Sequence, residues 1–138
     1  MDILRRNTDY ALRMLVNLAR NFKDGAQSTR SVAAEEDVPY QLACKLMQRL
    51  AKAGIVESCM GSKGGYRLTR KPSDTKLLQV VEAIQGPVSL NRCLLGVESC
   101  PRQENCGVRA SLEGLQVQLN DYLNSITLDK LAKGRNGN

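Results

Sequence analysis

Apolar residues recur at helical spacing in five stretches of the 138-residue chain, and a sixth stretch reads as a pair of short strands. Residues 8–22 place Ala11, Leu12, Leu15, Leu18 and Ala19 on one face. Thr8 is the expected N-cap, and Asp24-Gly25 the stop. A short helix over 29–36 follows, with Ser28 as its cap, until Pro39 disfavours helical geometry at Val38. Pro39 then opens a third helix to Ala53, whose buried face is Leu42, Ala43, Leu46, Met47 and Leu50, and Gly54 ends it. Residues 55–69 predict two strands around the tip Met60–Gly65, where Gly64-Gly65 would supply the positive φ angles of a hairpin. Leu77, Val80, Val81 and Ile84 make the stripe of a helix over 75–85 that Gly86-Pro87 stops. From Gly107 to Ser125, apolar residues 108, 112, 115, 119, 122 and 126 alternate spacings of four and three, a heptad seam. The segment between, 88–105, carries no periodicity, and Lys133–Asn138 reads as a frayed tail.

The order of these elements predicts a fold. Two helices joined by a tight turn form a helix-turn-helix, and a hairpin directly after it forms a wing. The expected class is therefore mostly α: a winged helix-turn-helix with a two-stranded β wing, plus a long C-terminal dimerisation helix. The expected division is 1–86 for the DNA-binding unit, 87–106 for a cysteine-bearing loop, and 107–138 for the dimerisation helix and tail. The heptad seam is too short for an independent coiled coil but suits the spine of a homodimer.

Charge sharpens the first assignment. Residues 1–72 hold thirteen Lys and Arg against seven Asp and Glu, whereas the rest is balanced at seven each. All of the excess positive charge thus falls on the half that carries the helix-turn-helix, as expected of a surface that meets a polyanion. Lys45, Arg49 and Lys52 recur on one side of the third helix, while Lys63 at the wing tip and Arg67 on its return strand are placed to reach phosphates or a minor groove. Double-stranded DNA, in the form of a palindromic operator matched to a two-fold protein, is the expected partner. The chain lacks histidine, the commonest general base, and lacks any C-x-x-C pair, so an enzyme is not expected. Charge interrupts the apolar residues of the N-terminus, and no apolar run approaches membrane-span length. The sequence therefore reads as cytoplasmic, with no signal peptide and no membrane partner.

Five cysteines in a reducing compartment point away from a disulfide framework. Cys93-x6-Cys100-x5-Cys106 brings three thiols within fourteen residues, too widely spaced for a zinc knuckle. Soft thiolates select iron–sulfur clusters, zinc or copper(I). An iron–sulfur cluster of two or four irons, easily lost on purification, is the favoured reading. A structural zinc site or a metal-free thiol switch are the alternatives. With no histidine, a fourth ligand would be a carboxylate, water, a backbone group or a residue of a partner subunit. Cys44 and Cys59 lie in regular elements and read as small buried hydrophobes.

Thr8-Asp9-Tyr10-Ala11-Leu12-Arg13, Leu50-Ala51-Lys52-Ala53-Gly54-Ile55-Val56, Gly61-Ser62-Lys63-Gly64-Gly65-Tyr66 and the three loop cysteines together resemble the bacterial Rrf-two family, that of IscR, NsrR and RirA. The resemblance spans nearly the whole chain. It implies a homodimeric winged-helix regulator, usually a repressor, whose DNA affinity follows a cluster that senses nitric oxide, iron or redox state. The alternative is a regulator of the same fold that senses by thiol oxidation or another ligand. The resemblance also implies base contacts from Gln41, Cys44 and Lys45, which turns Cys44 toward the groove. The full expected interface is Ser28, Thr29, Tyr40, Gln41, Cys44, Lys45, Arg49, Lys63 and Gly64. Two departures from the IscR-like pattern stand out. Met60 occupies the place of a wing arginine, and Arg109 the place of a ligating histidine. Asp9 matches the acidic ligand that NsrR-like members take from the opposite subunit, which would give a ligand set of Cys93, Cys100, Cys106 and Asp9.

Overall fold

The computed structural model describes residues 3–90, Leu94 and 106–134. Among these residues, six α-helices and one hairpin follow in the order α1 (Arg6–Arg20), α2 (Thr29–Glu35), α3 (Tyr40–Lys52), β1 (Val56–Cys59), β2 (Gly65–Leu68), α4 (Leu77–Gln85), α5 (Gly107–Ser125) and α6 (Leu128–Lys133). The architecture is the mostly helical winged helix-turn-helix with a long C-terminal helix that the hydrophobic pattern predicts.

α1 is the central helix. Ala11, Met14, Leu15 and Leu18 are buried against residues of α2, α3, the base of the wing and α4. It begins two residues earlier than its periodicity indicates, and Arg5 rather than Thr8 is its N-cap. Thr8 lies in the first turn, fully buried, with its hydroxyl donating to Gln85 Oε1 at 2.6 Å. A cap residue satisfies its own helix, whereas this threonine fastens α1 to the far end of α4.

α2 starts as expected, with the Ser28 hydroxyl accepting from Ser31 N at 3.1 Å. Residues 36–39 form the turn to α3, and Asp37 takes a left-handed conformation at φ 55°, one that aspartate tolerates better than most residues. α1 holds this turn: Arg13 Nη1 donates to Glu36 O at 3.0 Å, and Asn17 Nδ2 donates to Glu35 Oε2 at 2.7 Å and Glu36 Oε2 at 2.9 Å. Pro39 is the N-cap of α3 rather than its first helical residue.

The wing pairs antiparallel from Val56 with Leu68 to Cys59 with Gly65. Gln27 adds an isolated bridge to Tyr66, tying the wing to the segment before α2. That closeness dictates the glycine: at Gly65, with φ 148°, a Cβ would lie 2.1 Å from Gln27 O. Gly64 does not have the positive φ expected of it. It is needed because a Cβ there would lie 2.8 Å from the carbonyl oxygens of Cys59 and Gly61.

α4 is buried on two sides. Val80 and Ile84 join the main core, while Leu77 and Val81 form a second cluster with Val88 and Leu123. The heptad residues of α5 therefore divide. Leu119 and Ile126 pack toward α4, whereas Val108, Leu115 and Tyr122, each seven residues apart, are exposed. No helix among the described residues is long and apolar enough to cross a membrane.

The sequence pattern did not anticipate α6. Leu77 N donates to Ile126 O at 2.8 Å and Leu128 N to Thr75 O at 2.9 Å, which brings the chain back toward α1. There Leu128 is fully buried in the main core, and Arg20 Nε donates to Ala132 O at 3.1 Å. Lys133, expected to be frayed, closes this helix. Leu128→Ala should therefore lower unfolding stability by about 2–5 kcal/mol, the range for a buried leucine truncation. Chemical denaturation measures this, and a loss under 1 kcal/mol (roughly the level of a surface change) would show that α6 contributes nothing to the core.

Candidate nucleic-acid interface

α3 presents a continuous polar side because its apolar residues turn the other way. Ala43, Leu46, Met47 and Leu50 are buried, and Gln41, Lys45, Gln48, Arg49 and Lys52 are exposed. Cys44 lies at the margin, half-buried, between the two readings its sequence position allowed. Tyr40 opens the helix, exposed, and the Arg30 guanidinium stacks over its ring at 4.2 Å from the centroid. Such a cation–π contact joins α2 to the first turn of α3 and holds two donors side by side. Arg30 had no sequence signal, because only the crossing of the two helices brings it to Tyr40. Ser28 is exposed and Thr29 half-buried at the start of α2.

The wing places Lys63 in the open and Gly64 half-buried behind it. Met60 is 96% exposed at the point where the chain leaves β1. Arg67, expected to reach phosphates, is instead held across the hairpin: its Nε lies 2.8 Å from Glu57 Oε1. This hydrogen bond first, and then the attraction of Cys59 and Glu57, raises the Arg67 pKa above its ordinary value. The guanidinium keeps its charge but must leave Glu57 to meet another anion.

Of the expected cluster ligands, Cys93 and Cys100 lie outside the described residues. Cys106 is the half-buried N-cap of α5. Asp9 is exposed on α1, with Oδ2 3.4 Å from Arg13 Nε. Since Arg13 also donates to Glu36 O, the Asp9 side chain is one ion pair removed from the helix-turn-helix turn. Arg109 Nε lies 3.0 Å from Glu113 Oε1. A guanidinium is not a ligand, so this position supplies charge and no donor atom. Among the described residues, no three of His, Cys, Asp or Glu come together as a metal site.

One anchor near the cysteine segment escaped sequence reading. The Gln116 side chain on α5 donates through Nε2 to Val88 O at 2.7 Å, and its Oε1 accepts from Leu90 N at 2.8 Å. The amide thereby satisfies two backbone groups of an irregular segment and fixes the chain leaving α4 against α5.

Comparison with known proteins agrees with this arrangement. The family model for Rrf2, described as an iron-dependent transcriptional regulator, matches residues 4–134. The chain is 33% identical over 135 residues to the protein aau3 of Rhizobium meliloti, covering 96% of this chain and 86% of that one. Among solved structures, T. potens IscR superimposes with a TM-score of 0.76 at 25% identity, over 94% of this chain and 85% of that one. CymR, the global cysteine regulator of B. subtilis, superimposes with a TM-score of 0.77 at 23% identity, over 96% and 98%. The latter is a likeness of fold.

The Glu57–Arg67 pair generates a prediction. Glu57→Gln removes a negative charge from the wing and frees Arg67, so DNA should bind more tightly. The slope of log affinity against log salt should also steepen by about one phosphate contact. Fluorescence anisotropy over a salt series reads both, and an unchanged slope would mean that Arg67 stays away from the backbone.

Proposed function

The chain belongs to the Rrf2 family of transcriptional regulators, and we propose that it works within that family as a homodimeric repressor whose hold on a palindromic operator is set by an iron–sulfur cluster. The observation that carries this reading is mechanical. Cys106 begins α5, α5 packs on α4, and α4 packs into the same core as α3. A change at the thiols is therefore a change at the end of a helix joined by close packing to the recognition helix.

On this reading α3 enters the major groove with Gln41, Cys44 and Lys45 toward the bases. Ser28, Thr29, Tyr40 and Arg49 support them, and Lys63 with Gly64 brings the wing to the backbone. The exposed row Val108, Leu115 and Tyr122 on α5 supports the homodimer, because a matching row on a second copy would bury it. The donor set fits a cluster in chemistry: three thiolates are soft ligands, and with no histidine in the chain an oxygen ligand is left to complete the set. Cys93, Cys100 and Cys106 would hold it, with Asp9 of the partner subunit as the fourth ligand. Bound there, the cluster would supply iron that reacts with nitric oxide or oxidants. Asp9 suits the role because its carboxylate is exposed and, among the described residues, engaged by one ion pair at 3.4 Å.

Two experiments test this function. Lys45→Glu combined with Arg49→Glu should abolish operator binding while size-exclusion chromatography still reports a dimer. Unchanged binding would show that another helix meets the groove. Protein purified without oxygen should contain iron and sulfide and absorb visible light, and Cys100→Ala should lose both. Colourless, iron-free wild-type protein that binds its operator until mild oxidation would replace the cluster with a thiol switch on the same cysteines.

A further inference from the structure

Between the first turn of α1, the later half of α3 and the end of α4 lies an open cleft of about 600 Å³. Arg5, Arg6 and Arg49 all line it. Gln85 fixes the backbone that carries the first two. Its Oε1 accepts from Arg5 N at 3.0 Å and from the buried Thr8 hydroxyl at 2.6 Å, while its Nε2 donates to Ile3 O at 2.8 Å. These three bonds fasten residues 3–8 to the last turn of α4. The two N-terminal arginines are thus held beside α3.

No carboxylate lines the cleft, and none of the three arginines forms an ion pair among the described residues. Arg13, Arg67 and Arg109 behave differently, each lying within ion-pair distance of an acid. Three like charges gathered around one cleft with no acid repel one another until an anion enters. Guanidinium groups match the oxygens of a phosphate through paired N–H donors.

We propose that this cleft grips a phosphate of the DNA backbone beside the groove that α3 enters. The ligand class is a phosphodiester. A free phosphate shares the chemistry, but Arg49 lies one helical turn after Lys45 on α3, and this favours the nucleic acid. The interface then has a further element beyond α2, α3 and the wing, namely the first turn of α1. The inference rests on the DNA-binding assignment above.

The test uses the dimer and two duplexes: a palindrome recovered by selection from a random pool, and an unrelated duplex of equal length. Arg5→Gln with Arg6→Gln should weaken binding to both duplexes alike, by roughly tenfold. It should also flatten the slope of log affinity against log salt by about one to two. Circular dichroism and dimer size should not change, since Gln85 bonds the backbone of Arg5 and not its side chain. Arg5→Lys with Arg6→Lys keeps the charges and should recover most of the slope. An unchanged slope in the glutamine variant, with Lys45→Glu still losing the palindrome, overturns the cleft and leaves the α3 assignment standing. Protection of the wild type by inorganic phosphate in a thermal shift, with an unchanged DNA slope, makes the cleft a free-anion site and overturns the proposal too. Wild-type protein that binds neither duplex overturns the DNA assignment itself.

Discussion

Burial of α4 on two sides is the constraint from which the rest of the structure follows. A nine-residue helix with apolar residues at 77, 80, 81 and 84 has enough apolar surface to face two neighbours at once. Val80 and Ile84 complete the core under the helix-turn-helix, while Leu77 and Val81 receive Leu123 of α5. Close-packed interiors transmit displacement because they contain little free volume. α5 is thereby joined to α1 and α3 through α4. Gln85, at the end of the same helix, also fixes where α1 begins.

Arginine serves two purposes in this chain, and its partners separate them. Arg13 joins Asp9 to the carbonyl of Glu36, and Arg67 closes the wing against Glu57. These side chains act within the protein. Arg5, Arg6 and Arg49 form no ion pair among the described residues, and with Lys45 and Lys63 they add to the positive surface. The net charge of +6 thus says nothing of which cations are free to meet a polyanion. α1 carries both kinds: Arg5 and Arg6 at its start, and Asp9 with Arg13 one turn later.

The site residues were legible to different degrees. The exposure of Lys45 and Arg49 follows from helical periodicity alone, because whatever faces away from Leu46 and Leu50 must face solvent, whereas Gln41 was singled out only by the family resemblance. The roles of Arg30 and Gln116 could not be read this way. Arg30 matters because two helices cross beside Tyr40, and Gln116 because its amide meets backbone groups some 26 to 28 residues away in sequence. Gly64 was legible as an essential glycine but for another reason than the sequence implied: the wing needs its missing Cβ rather than its freedom in φ.

By itself the sequence determined the kind and order of the main elements. Helical spacing, a glycine-rich tip and a proline break are local properties, set by neighbours within a few residues. Tertiary structure decided which apolar faces meet and which polar groups pair. Thr8 reads as a cap locally, yet its hydroxyl bonds Gln85, 77 residues away. The short α6 forms where Leu128 finds the main core, and so short a helix is marginal without tertiary packing. In α5 the heptad specified an apolar seam, but the position of α4 decided that Leu123 is buried and that Tyr122, beside it in sequence, is exposed.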